Sequence, residues 1–129
     1  MSELEGFVPF DFDVGVASAS ITPNGITFNR SVAMKLGYPE YVVLLINADA
    51  KQIAIKVCDS DAPKAATFYK QQAENEAVRS VRWNNRDLLN NLSEIMGWDL
   101  KLMSHRVEGR MLPQESAMLF DLNKAADMK

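Results

Sequence analysis

Catalysis needs a nucleophile, a base and a group that steadies developing charge, or else a metal-holding cluster, and this chain offers little material for either. Its one histidine, His105, lies in Met103-Ser104-His105-Arg106. Strand alternation there puts it on a face with Met103 and Val107, so a structural or surface role is expected of it rather than proton transfer. Its one cysteine, Cys58, has no Cys or His at metal-ligand spacing and reads as a reduced, partly buried thiol. Asp59 and Asp61 flank Ser60 and could touch a hard cation, but the glycine and closing glutamate of a calcium loop are missing, which leaves capping or solvation as their expected role. There is no phosphate-cradling glycine loop and no Gly-x-Ser-x-Gly nucleophile elbow. No catalytic residue, metal ligand or cofactor is assigned, and an enzyme is not expected.

The remaining chemistry is cationic. Arg30 and Lys35 bracket a short helical stretch, and Arg79, Arg82 and Arg86 lead into a longer one. Arginine at a helix start reaches phosphates, helped by the free backbone N–H groups there. Arg30, Lys35, Arg82 and Arg86 are therefore the candidate contacts to double-stranded DNA. The formal net charge of −3 argues against strong non-specific binding, which draws on clustered Lys and Arg releasing counterions. The distribution is uneven, however: residues 1–28 carry no Lys or Arg, whereas residues 79–110 add Lys101, Arg106 and Arg110 to the three arginines above. That asymmetry could support a basic face, but a mixed, solvated surface is the expected explanation. Phe28 and Trp83 fall on short strands that must cover helices, and read as core anchors rather than base-stacking platforms.

These residues need elements to hold them. FVPFDFDVGVASASIT reads as extended, and Pro23-Asn24-Gly25 marks a tight turn between Ile21-Thr22 and Ile26-Thr27-Phe28, the arms of a hairpin. Asn29 or Ser31 can then cap a helix with Val32 and Leu36 inward and Gly37 at its end. YVVLLINADAKQIAIKV is the clearest β signal: its first arm is apolar on both faces, and its second alternates Ile53, Ile55 and Val57 with Gln52, Ala54 and Lys56. The pattern weakens over 59–80, where a helix capped by Asp61 or a linker is expected. Val81-Arg82-Trp83-Asn84 then echoes Ile26-Thr27-Phe28-Asn29. A helix follows with Leu88, Leu89, Leu92, Ile95 and Met96 on one face, capped by Asn84 or Asn85 and ended by Gly97-Trp98 as the first is by Gly37-Tyr38. Strands are expected near Leu100–Val107 and Ala117–Leu122, with turns at Glu108-Gly109 and Pro113-Gln114-Glu115.

The 129 residues, 47% hydrophobic and 24% charged, suit one globular domain with a real core. The longest apolar run, Tyr41–Ile46, is far shorter than the roughly 20 residues of a membrane helix, so no membrane partner is expected. The acidic start MSELEG lacks the basic region of a secretory signal, which makes a cytoplasmic location the expectation. The seven methionines sit mostly among apolar residues and read as core fillers.

SITPNGITFNRSVAMKLG resembles the amino-terminal motif of the AbrB, MazE and SpoVT-like swapped-hairpin family, in which a strand, a glycine turn, a strand and a short helix ending in Leu-Gly precede a β-hairpin. Gly25 matches the turn glycine, Ile26-Thr27-Phe28 the strand, Arg30 the basic residue and Leu36-Gly37 the helix end; YVVLLINADAKQIAIKV looks like the closing hairpin. The match spans residues 18–57. Asn29 stands where the family has Pro, Ala33 where it often has Arg, and Pro39-Glu40 replaces Gly-Asp. DNA-binding members carry basic residues on and near the first hairpin, where this chain has Ala17, Ser18, Ala19 and Ser20. Over its whole length the chain resembles small uncharacterised bacterial proteins.

The expected fold is α+β: two related β-α-β-β units, 1–58 and 81–129, joined through 59–80 into one barrel-like core, an internal pseudo-dimer covered by two helices. Such a chain is a monomer with internal pseudo-symmetry or a homodimer. The resemblance implies a small bacterial transcription-regulator-like module on double-stranded DNA; the competing expectation is a protein–protein interaction or structural module without DNA affinity.

Overall fold

The computed structural model describes residues 3–6, 15–69 and 80–128. Part of the extended segment expected before Thr22, part of the 59–80 stretch, and Arg79 lie outside these residues. The described chain is mixed and mostly strand, with two α-helices and one antiparallel sheet that curls strongly into a half-barrel. No described helix is long and apolar enough to cross a membrane.

Ser18–Thr22 (β1) and Gly25–Phe28 (β2) form the first hairpin around Pro23-Asn24, with Ile21 opposite Ile26. Gly25 has φ +149°, and a Cβ there would lie 2.6 Å from the Trp83 carbonyl oxygen, so close backbone approach as well as turn shape demands glycine. Arg30–Lys35 (α1) follows, with Val32 and Leu36 buried as their spacing predicts. Asn29 occupies the N-cap position but makes no side-chain cap. Its carboxamide donates instead to the Val16 carbonyl (2.8 Å) and Ser18 Oγ (3.1 Å), and accepts from the Ser18 amide (3.1 Å). A carboxamide carries the same donor and acceptor as a peptide unit, so Asn29 serves as an extra rung holding the start of β1.

Tyr41–Asn47 (β3) and Gln52–Val57 (β4) form the second hairpin. The helix expected at Asp61 is absent; turns occupy that stretch, and Ala66–Thr67 (β5) pairs with Tyr41 and Val42. Nothing in 60–65 has the apolar periodicity to bury a helical face, so turn formation prevails. In the second half come Val81–Trp83 (β6), Arg86–Met96 (α2), Ser104–Leu112 (β7), Ala117–Asp121 (β8) and Ala126–Met128 (β9). The turn expected at Glu108-Gly109 is also absent, since both residues lie inside β7. Glycine is needed there for room: an added Cβ would sit 2.5 Å from Met118 Sδ and 2.9 Å from Phe120 Cε1.

The sheet runs β5-β3-β4-β8-β7-β1-β2-β6, with β9 on β7. Phe120 faces Gly109 and Ala126 faces Arg106, so β8 and β9 follow the same side of β7, interrupted by the 3-10 turn Leu122–Lys124. Asn123 in that turn donates from its side chain to Asp121 (3.0 Å) and to the Ala50 carbonyl (2.9 Å). That hydrogen bond holds the Asp121 carboxyl below the usual aspartate range.

Inward residues of the strands make one core. At its centre Phe28, fully buried, meets the rings of Trp83 (5.1 Å between centroids), Phe68 (5.6 Å) and Phe120 (5.6 Å). Where the sheet's ends approach, the Trp83 indole N–H donates to the Thr67 carbonyl at 3.0 Å. The β3–β4 and β7–β8 hairpins share one register. Leu44–Ile55, Leu45–Ala54, Ile46–Ile53 and Asn47–Gln52 correspond in order to Gly109–Phe120, Arg110–Leu119, Met111–Met118 and Leu112–Ala117. Their turns also agree, closing with left-handed Lys51 (φ 57°) and Ser116 (φ 50°).

Gly109→Val should cost about 1–3 kcal/mol through overpacking against Met118. A double-mutant cycle by thermal unfolding checks this: the Gly109→Val loss should be smaller in a Met118→Ala background than in the native one, whereas a turn glycine would lose the same in both.

Candidate functional site: a cationic cleft beside the second helix

The long helix α2 owes its start to Asn85, whose side-chain oxygen accepts from the Leu88 amide at 2.9 Å, and its end to left-handed Gly97 (φ 69°). Leu89 and Leu92 bury its inner face. Beyond it the Trp98 amide donates to the Ser93 carbonyl, and the chain turns through 99–103, with Leu100 tucked into the core. That turn is held by Asp99, whose carboxylate accepts from the Lys101 amide at 3.0 Å. The β1–β2 turn, the end of β6, α2 and this segment enclose an open cleft of about 940 Å³.

Arg82, Arg86 and Lys101 line the cleft, against a single carboxylate, that of Asp99. The Arg82 guanidinium donates to the Asn24 carbonyl at 3.2 Å, which fixes it at the rim. Among the described residues the only contact of ion-pair length is His105–Asp127, so none of these three cations has a carboxylate partner there. On the outer face of the sheet, register carries Arg82 through Thr27 and Ser20 to Arg106, across four adjacent strands. Arg106 and Arg82 are both exposed, and Arg106 Nε donates to Ser18 Oγ at 3.2 Å. Three strand spacings put the two arginine backbones about 14 Å apart.

The cleft brings together two of the four sequence candidates, Arg82 and Arg86. Arg30 and Lys35 are exposed on α1 and are not among the residues lining it. Lys101 was not singled out by the sequence, because nothing local announces that the segment after Gly97 folds back beside β6. Trp98 was legible only as the aromatic that ends the helix.

His105 is 5% exposed and lies parallel to the Trp98 indole, with centroids 3.9 Å apart and planes at 13°. Its Nδ1 is 3.1 Å from an Asp127 carboxylate oxygen, while Nε2 is buried with no hydrogen-bond partner among the described residues. No three His, Cys, Asp or Glu side chains among the described residues are grouped to hold a metal ion, and Cys58 is a half-buried free thiol. No protein-family model matches the chain, and neither a curated protein nor a solved structure was found similar to it.

Asn85→Ala should cost about 1 kcal/mol. Hydrogen exchange checks the cause: faster exchange confined to the first turn of α2, including Leu88, is the expected result.

Proposed function

We propose that the chain is a single-chain pseudo-dimer of the swapped-hairpin type that binds double-stranded DNA through the cationic face beside α2. The observation that carries the binding is the gathering of Arg82, Arg86 and Lys101 at one cleft without carboxylate partners among the described residues, continued outward to Arg106. No described Lys or Arg is ion-paired to another described residue, so what sets these cations apart is their gathering at one place, where they can together exchange counterions for phosphates.

The pseudo-dimer is supported by pairing. If β1 is exchanged with β5, β2 with β6, β3 with β7 and β4 with β8, every strand pairing on the main path but one maps onto another pairing of the same sheet. The exception is β1·β2, whose counterpart would join β5 to β6, and there the Trp83 indole reaches Thr67. Val81-Arg82-Trp83 then takes the place of Ile26-Thr27-Phe28, and these two strands pair with each other around Thr27–Arg82.

A salt series with labelled random duplex tests the reading. Affinity should fall steeply with salt, and Arg82→Glu with Arg86→Glu should weaken it and reduce the log–log slope by about 2. As exposed substitutions, the pair should leave the thermal midpoint nearly unchanged. Absence of binding even at low salt would overturn the proposal.

One observation favours a protein-interaction module instead. Leu45 and Ile46 are 47% and 39% exposed near the tip of β3, and β5 pairs only with Tyr41 and Val42. The uncharged remainder of that edge is a template for another strand. On this reading sedimentation equilibrium should detect self-association that Leu45→Lys abolishes.

A further inference from the structure

We infer that the cleft beside α2 is a nucleotide site, taking a phosphate and its nucleobase either as a free nucleotide or as the end of a nucleic-acid strand. The inference rests on the nucleic-acid reading in using Arg82 and Arg86, but it adds a ligand that a duplex backbone alone does not supply.

Three features of the lining fit that ligand. The first is charge, since Arg82, Arg86 and Lys101 converge on a cleft whose single carboxylate, Asp99, is engaged by the Lys101 amide. Arginine pairs make bidentate contacts to phosphate oxygens. The second is the set of carboxamides Asn24, Asn84 and Asn90, whose side chains make no hydrogen bond to another described residue. Each offers a donor and an acceptor side by side, the pattern that reads the edge of a base and that phosphate binding does not need. The third is Trp98. One face of its indole is covered by His105, itself held by Asp127, and the residue packs against the core while lining the cleft. Bracing of this kind fixes the indole beside the cleft before any ligand arrives, which lowers the cost of a base stacking on it.

Size and placement agree. About 940 Å³ lies within the range of small-molecule sites. One side of the cleft is built by parts in which the second half exceeds the first: α2 has 11 residues where α1 has 6. Trp98 is separated from β7 by Asp99–Met103, where only Pro39-Glu40 separate Tyr38 from β3. Duplex binding by two equivalent halves would not call for this one-sided elaboration.

The test is titration of the intact protein with nucleoside monophosphates, the matching nucleosides, inorganic phosphate, a 5′-phosphorylated pentanucleotide and a blunt duplex. Calorimetry and the assigned Trp98 indole N–H resonance are the readouts. The inference expects saturable shifts of that resonance with the monophosphate or the pentanucleotide, at least about tenfold tighter than with nucleoside or phosphate alone. Whichever of the two binds tighter identifies the source of the nucleotide. Lys101→Glu and Asn90→Ala, both at exposed positions, should each weaken binding severalfold with the thermal midpoint unchanged. Nucleotide binding no tighter than phosphate, or shifts that spare Trp98, would overturn the inference. Duplex binding without nucleotide binding would sink this site and leave the DNA reading standing; nucleotide binding without duplex binding would do the reverse.

Discussion

The ring of Phe28 is wedged between three others: Trp83 on the neighbouring strand β6, Phe68 from beside β5 at the far end of the sheet, and Phe120 from the middle. A flat sheet in this strand order would hold Phe68 and Phe120 several strand spacings from Phe28. Their mutual contact requires the sheet to curl, and the curl encloses Ile21, Ile26, Ile53, Ile55 and Met118 as one core. Each ring removes a large apolar area from water, so the shape of the sheet and the burial of the core are one energetic event.

The candidate site depends on that curl. Because Trp83 turns inward to Phe28 and its carbonyl lies against Gly25, its neighbour Arg82 faces outward and can reach the Asn24 carbonyl. Strand alternation then gives Thr27, Ser20 and Arg106 the same outward aspect. The floor of the cleft is set from the other side, where His105 in β7 supports Trp98 and Asp127 in β9 holds His105. A single pleat therefore sorts apolar rings to the inside and the cations to the outside.

Much of this order was legible where local chemistry decides it. Pro23-Asn24 fixes the first hairpin, Asn85 and Gly97 delimit α2, and the alternation over Gln52–Val57 marks a half-buried strand. The likeness of Ile26-Thr27-Phe28 to Val81-Arg82-Trp83 was visible, and these prove to be paired neighbours. What stayed hidden depends on distant partners. Gly109 looks like a turn residue until Met118 and Phe120 are placed over it, and β5 and β9 are too short to carry any periodicity of their own. Asn29 looks like a cap until Ser18 arrives beside it. The grouping of Arg82, Arg86 and Lys101 is of the same kind: charge counts revealed a cation-rich stretch, but not the loop that folds Lys101 back.

The central claim is that anionic ligands meet this protein at one face, defined by Arg82, Arg86, Lys101 and Arg106. The most direct measurement is chemical-shift mapping on uniformly 15N-labelled protein with a short duplex added at low salt. The account predicts perturbations concentrated at the β1–β2 turn, β6, the start of α2, the 98–101 segment and the Arg106 region of β7, with the β3 edge silent. Shifts confined to the Leu45–Ile46 edge, or none at all at millimolar duplex, would contradict it.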